Sequence, residues 1–163
     1  MIVSFLESND FKRTPLSAIE LMEVLNKLVA NDGADIFLFT NEGLFDNSCW
    51  QIVSQLKMLH PNIKRVYVQT GYEDNRDGLQ EIENCYDKIF SLEAMCSDKM
   101  LAPYVRNRFM VALSDILVTY FDTDKLQTPR IESSTETAIK FAKRYKKQII
   151  NLFDLFDKTH QVV

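Results

Sequence analysis

The sequence predicts an α/β fold in three layers, with a mainly parallel central sheet between two sets of helices. Two observations predict it. Short apolar runs alternate with helix-period segments of about ten or more residues, the pattern of βαβ units. One of those runs, Asp35-Ile36-Phe37-Leu38-Phe39-Thr40, is apolar without polar alternation, as a strand covered on both faces should be. The 163 residues correspond to one domain, expected over 1–155 with a tail at 156–163, and can bury a core without disulfides or a metal.

Each element follows from its residues. Residues 1–7 form the first expected strand. A helix is expected over 17–29, where Ile19, Met22, Leu25, Leu28 and Val29 recur at helical spacing and face inward, with Gly33 past its end. Residues 35–40 are the second strand. The next helix spans 41–59, with Phe45, Cys49, Ile52, Val53, Leu56 and Leu59 on its apolar stripe and Pro61 closing it. A third strand covers 63–70, an exposed polar loop 72–79, the opening of a short helix 80–84 and a fourth strand 86–92. Residues 104–113 read as a helix through Val105, Phe109, Met110 and Leu113, and 115–121 as the fifth strand. A polar connection containing Pro129 spans 122–134. The last helix, 135–147, turns Ala138, Ile139, Ala142 and Tyr145 inward, and 148–153 is the last strand.

Composition excludes several classes of function. Hydrophobic residues are 46% and charged residues 26%, which is globular rather than disordered or fibrous. The glycines Gly33, Gly43, Gly71 and Gly78 never cluster, so a Gly-rich phosphate loop is not expected. The net charge is −4; residues 1–98 carry 8 Lys+Arg against 16 Asp+Glu, and residues 99–163 carry 11 against 7. An acidic whole makes nucleic acid an unlikely partner. Lys140, Lys143, Arg144, Lys146 and Lys147 read as cations that complement the dipole at a helix end, with an anion or nucleic-acid patch as the alternative. Cys49, Cys85 and Cys96 lack CxxC spacing, so neither a disulfide framework nor a zinc site is suggested. No apolar run approaches the roughly 20 residues of a membrane span, and the start lacks a basic leader region. The expected setting is cytoplasmic, with no membrane, metal or cofactor. His60 and His160 are the only histidines, which disfavours a Ser-His-Asp or Cys-His arrangement.

In parallel sheets ligands bind beyond the carboxyl ends of the strands, at the switch in strand order. That places the candidate site on the turns after Thr40, Thr70 and Phe121 and on the helix starts that follow. Helix starts expose N–H groups and a positive dipole end, which suit phosphate or carboxylate. Asp46 reads as a ribose contact, a helix cap or a first-turn acid, and Arg106 as a bidentate phosphate partner, a solvated helix residue or the partner of an acidic loop. Asn107 reads as a ligand contact or a cap. Ser133, Ser134 and Thr135 read as ligand donors or as an N-cap cluster.

Three segments carry a resemblance. They are Phe37-Leu38-Phe39-Thr40-Asn41-Glu42-Gly43-Leu44-Phe45-Asp46-Asn47-Ser48-Cys49, Tyr104-Val105-Arg106-Asn107-Arg108-Phe109-Met110-Val111-Ala112-Leu113-Ser114-Asp115, and Glu132-Ser133-Ser134-Thr135-Glu136-Thr137-Ala138-Ile139-Lys140-Phe141-Ala142 leading into Ile149-Ile150-Asn151-Leu152-Phe153. With His60-Pro61-Asn62-Ile63-Lys64, this series resembles the Smf/DprA–LOG (SLOG) superfamily in its YpsA-like branch, over about residues 30–155.

The resemblance implies a Rossmann-like fold and the binding of a nucleotide or nucleotide-derived small ligand. It places ligand contacts at Thr40, Asn41, Glu42 and Gly43 with Asp46 as the acidic position, at Arg106 and Asn107, and at Ser133, Ser134 and Thr135. This chain has Thr40 or Asn41 where the superfamily turn carries glycine, and Ser134 in place of the late-turn glycine. The LOG phosphoribohydrolases have Gly-Gly-x-Gly-Thr with a Glu three residues after the Thr. Here Glu136 follows Thr135 at once, and position 138 is Ala. The expectation is binding without catalysis. The alternatives are N-glycosidic hydrolysis of nucleoside monophosphates, and an interaction protein or homo-oligomer with a vestigial pocket.

Overall fold

The computed structural model describes residues 1–7, 11–72, 82, 84–124 and 132–155. Within them, strands β1 (Ile2–Glu7), β2 (Ile36–Phe39), β3 (Lys64–Gln69), β4 (Lys88–Ser91), β5 (Ile116–Tyr120) and β6 (Gln148–Asn151) form one six-stranded sheet in the order β4-β3-β2-β1-β5-β6. Every pairing is parallel. The helices are α1 (Pro15–Ala30), α2 (Gly43–Leu59), α3 (Ala102–Leu113) and α4 (Ser134–Arg144). The chain walks outward from β1 to β4, then returns to the other side of β1 for β5 and β6. Right-handed crossovers on such a path put α1 and α2 on one face and α3 and α4 on the other. The result is the three-layer, Rossmann-like α/β sandwich that the sequence predicts.

β1 lies at the centre and is buried on both faces. Val3 and Phe5 join the cluster containing Leu21, Leu25, Cys49 and Val53 of α1 and α2. Leu6 joins the opposite cluster with Val111, Ala138 and Ile139 of α3 and α4. Ser4, also buried, hydrogen-bonds Ser114 across that second layer, Oγ to Oγ at 3.0 Å. A period of two thus divides one strand between two cores.

Several expected helix faces need correction. Ile19 is exposed; Leu25, Leu28 and Val29 are buried as expected, and Leu21 joins them. At about 100° per residue, Ile19 lies roughly 200° around from Leu21, on the far side of the helix. Leu59 and Leu113 are exposed because they are the last residues of α2 and α3. The residues that reach the sheet in those last turns are Leu56 and the pair Met110 and Val111. Tyr145 is exposed because α4 stops at Arg144, and Lys146 takes a left-handed φ of 54° to start the turn into β6. Residues 73–79 of the expected loop, most of the short helix at 80–84, residues 125–131 with Pro129, and the tail lie outside the described residues.

The edge strand β4 is tied down by Asp87. Its carboxylate accepts from the Arg65 backbone N–H (2.8 Å), Arg65 Nε (3.2 Å) and Lys57 Nζ (2.9 Å). Burial opposes the charge, but these donors hold the carboxyl down at about 2. Among the described residues no helix is long and apolar enough to cross a membrane. Because the folded pKa is depressed, Asp87 stabilises the fold above the unfolded value near 3.9, and that contribution is lost as pH falls toward 2. Asp87→Asn should therefore melt below the wild type at pH 7. Melting curves recorded at falling pH should show that gap closing between about pH 4 and pH 2.

Candidate functional site

The strand order reverses at β1. β2 lies on one side of it and β5 on the other, and their following helices cover opposite faces. In this topology a crevice opens beyond the carboxyl ends of β1 and β5. Glu7, the last residue of β1, pairs with Tyr120 there. Thr119 and Thr135 fasten the rim by donating to the Leu6 and Glu7 carbonyls, each at 2.7 Å.

The turn from β2 into α2 forms the first wall. Asn41 has a φ of 58° and Gly43 a φ of 79°. Asn tolerates the left-handed region better than most side chains, and glycine has no steric objection to it. Asp46 sets this turn. It is 3% exposed, and its two carboxylate oxygens accept from the backbone N–H of Thr40 (3.1 Å) and Asn41 (2.9 Å). Burial pushes the Asp46 carboxyl up to about 7, against the pull of those two amides and of Arg106. The Glu42 N–H donates to Thr40 Oγ1 at 3.2 Å. The Phe45 N–H, in the first turn of α2, donates to Glu7 Oε2 at 3.2 Å. Burial raises the Glu7 carboxyl, and the Phe45 amide partly opposes the rise. A Cβ on Gly43 would overlap Glu7 Oε1, so glycine at 43 answers both a positive φ and a close approach.

α3 forms the second wall. Its face toward the crevice is polar: Arg106 and Asn107 are buried alongside Met110 and Val111. Arg106 Nη1 and Nη2 donate to the two oxygens of Glu42 at 2.7 and 2.6 Å, a bidentate pair. The Arg106 side chain is 4% exposed and that of Glu42 61%. Burial works against the Arg106 charge, but Glu42 more than offsets it and lifts the guanidinium above its ordinary value. Asn107 Nδ2 donates to Ser134 Oγ at 3.2 Å. At the start of α4, Ser133 and Glu136 form a capping box, with Ser133 N–H on Glu136 Oε2 (2.7 Å) and Glu136 N–H on Ser133 Oγ (3.2 Å).

Two adjoining cavities result. One, about 140 Å³, is lined by Glu7, Gly43, Asp46, Asn107, Ser134 and Thr135, among others. The other, about 360 Å³, lies between Tyr67, Thr70, Tyr72 and the start of α3 at Ala102 and Pro103, with Asn41 on its wall. Thr40, Glu42 and Arg106 border both. Every candidate residue read from the sequence lines one of these cavities except Ser133, whose side chain caps α4. The sequence reading missed Glu7, Tyr67 and Tyr72. Glu7 carries a signal in retrospect: a lone acid ends an apolar strand at the switch point. Tyr67 carries none, since it reads as an ordinary strand residue. No group of His, Cys, Asp and Glu among the described residues could hold a metal ion.

The fold and the position of the cavities define the class: a Rossmann-like α/β domain with a smaller cavity at the end of β1 and a larger one beyond the carboxyl ends of β2 and β3. The chain shares this fold with DNA processing protein A (DprA) from Streptococcus pneumoniae, at a TM-score of 0.58 and 13% identity. The superposition covers 90% of this chain and 48% of that one, so this chain spans about half the length of DprA. No family model matches the sequence, and no curated protein matches it.

Asp46→Ala leaves two amides of the turn without their acceptors, which should cost about 2–4 kcal/mol in denaturant titrations. The pH dependence has a definite sign. A carboxyl raised from 3.8 to about 7 contributes stability below its unfolded value and loses it as pH rises through 7. The wild type should therefore gain on Asp46→Ala as pH falls from about 8 to 5.

Proposed function

We propose that this chain is a SLOG-type binding module of the YpsA-like branch, holding a nucleotide-derived small ligand in the crevice without turning it over. The observation that carries the reading is the cavity of about 360 Å³ between Thr40–Glu42, Tyr67, Tyr72 and Arg106. Sites for small molecules are concave, largely apolar and equipped with a few placed polar groups, and sizes of this order are typical. Tyr67 and Tyr72 supply aromatic wall, with Thr40 and Thr70 beside them. The fold shared with DprA and the motif series at 37–49, 104–115 and 132–142 support the superfamily.

Hydrolysis in the manner of the LOG enzymes has less support. The acid that follows the late turn, Glu136, is 2% exposed and holds the Ser133 amide in the capping box of α4. A nucleic-acid role is raised by the name of DprA, and the net charge of −4 speaks against it.

Titration of nucleosides, nucleotides and single-stranded DNA against the melting temperature tests the proposal. A ligand at tenfold excess over its Kd stabilises by about 1.4 kcal/mol, or about 3–6 °C for a chain of this size. At least one nucleoside or nucleotide should produce that shift, with no free base appearing in the mixture. No shift across the panel at millimolar ligand contradicts the reading, and a shift with DNA alone replaces it.

A further inference from the structure

Four carboxylates stand around the two cavities, and one is bound differently from the rest. Glu7 takes the Phe45 amide, Asp46 the amides of Thr40 and Asn41, and Glu136 the amide of Ser133. None of these three can let go without undoing a turn or a helix start. Glu42 holds no backbone amide. It stands at the N-cap of α2, yet its side chain makes no capping bond. Among the described residues its carboxylate accepts only from Arg106, through both oxygens.

The pair is also lopsided. The Arg106 side chain is 4% exposed and that of Glu42 61%. A guanidinium this deep needs an anion, because a buried charge left unmatched is strongly destabilising. A carboxylate this exposed needs no cation, because water solvates it nearly as well. The bond is thus indispensable to one partner and dispensable to the other. A phosphate or carboxylate group presents two oxygens in the same fork geometry and can take the same two donors. The Arg106 charge then stays matched, and its Nε keeps Asn107 Oδ1 at 3.4 Å. Arg106 and Glu42 both line the larger cavity, so a molecule lying there reaches the pair directly. We propose that Glu42 is an exchangeable counter-ion: the anionic group of a ligand in the larger cavity takes its place on Arg106, and Glu42 turns out into water. The ligand class rests on the small-ligand reading above; the exchange itself is tested separately from it.

The test compares the wild-type chain with Glu42→Gln and Arg106→Met. The probes are phosphate and acetate against chloride at equal ionic strength, then a nucleoside panel with the matching 5′-monophosphates. Melting temperature and calorimetry are the readouts. Phosphate or acetate at about 10 mM should raise the melting temperature of Glu42→Gln by about 3 °C or more over chloride. The wild type, in which the anion must first displace Glu42, should need at least tenfold more, and Arg106→Met should not respond. The stronger of the two probes names the anionic group. Should either variant fail to fold, the Glu42 carboxyl carbon of the wild type is followed by NMR during a phosphate titration to about 100 mM, and should move toward the position of a solvated glutamate. The wild type should bind a monophosphate tighter than its nucleoside, with the preference widened about tenfold in Glu42→Gln and lost in Arg106→Met. An anion response equal in all three proteins overturns the proposal, as does a Glu42→Gln variant indifferent to both anions or a Glu42 signal that does not move. An anion response that needs Arg106, with no nucleotide bound by any of the proteins, upholds the exchange and removes the nucleotide reading instead.

Discussion

The crevice depends on one buried carboxylate. Asp46 reaches back from the first turn of α2 and takes the N–H groups of Thr40 and Asn41, one on each oxygen. That clamp fixes the path by which the chain leaves β2. It makes Asn41 turn left-handed and brings Gly43 directly over the end of β1. Without it the amide of Phe45 would have no reason to face Glu7. The clamp opposes itself in one respect: a carboxylate this deep resists ionisation, while two backbone donors favour it.

From that turn a connected set of hydrogen bonds runs around the mouth of the sheet. Glu42 takes Arg106, Arg106 lies beside Asn107, Asn107 reaches Ser134, and Thr135 returns to the carbonyl of Glu7. A nearly buried guanidinium is tolerable only with its charge matched and its donors used. Glu42 does both while remaining half in solvent, so the pair is partly screened and partly desolvated. Elements distant in sequence are thereby held at one crevice: the end of β1, the start of α2, the middle of α3 and the start of α4. The groups that would ordinarily greet an anion are bound to the protein instead. Beside them lies the larger cavity, lined by Tyr67, Tyr72 and the start of α3.

Much of the fold could be read from the residues. The uninterrupted apolar run Ile36-Phe37-Leu38-Phe39 marks a strand buried on both faces, and Phe45-Cys49-Ile52-Val53-Leu56 marks the inner stripe of α2. The faces that were misread had specific causes. Ile19 has the right chemistry and the wrong phase, and Leu59, Leu113 and Tyr145 sit at or beyond helix ends, where periodicity has no partner to face. The site was legible in part for a related reason. Side chains near a strand end or a helix start betray themselves by position, as Thr40 through Asp46 and Ser133 through Thr135 do. Glu7 does so only in part: a lone acid at the end of an apolar strand is visible, but its role arises from strand order. β5, at Ile116–Tyr120, returns beside β1 more than a hundred residues later, and only then does the end of β1 become the inner end of a crevice. Arg106 and Asn107 show the converse limit. The sequence allows Arg106 an acidic partner and Asn107 a cap, but it does not single out Glu42 or Ser134, which lie far off in sequence and are identified only once the fold brings them together.

Occupation of the start of α2 by Glu7 is tested most directly by NMR. The Phe45 amide and the Glu7 side-chain carboxyl carbon are followed from about pH 3 to pH 8, with Glu7→Gln as control for the neighbouring Asp46. The bond between them predicts that the two signals share a midpoint, that it lies above the ordinary glutamate value of 4.5, and that the Phe45 amide loses this step in the variant. A Phe45 amide indifferent to pH while Glu7 titrates at its ordinary value would contradict it.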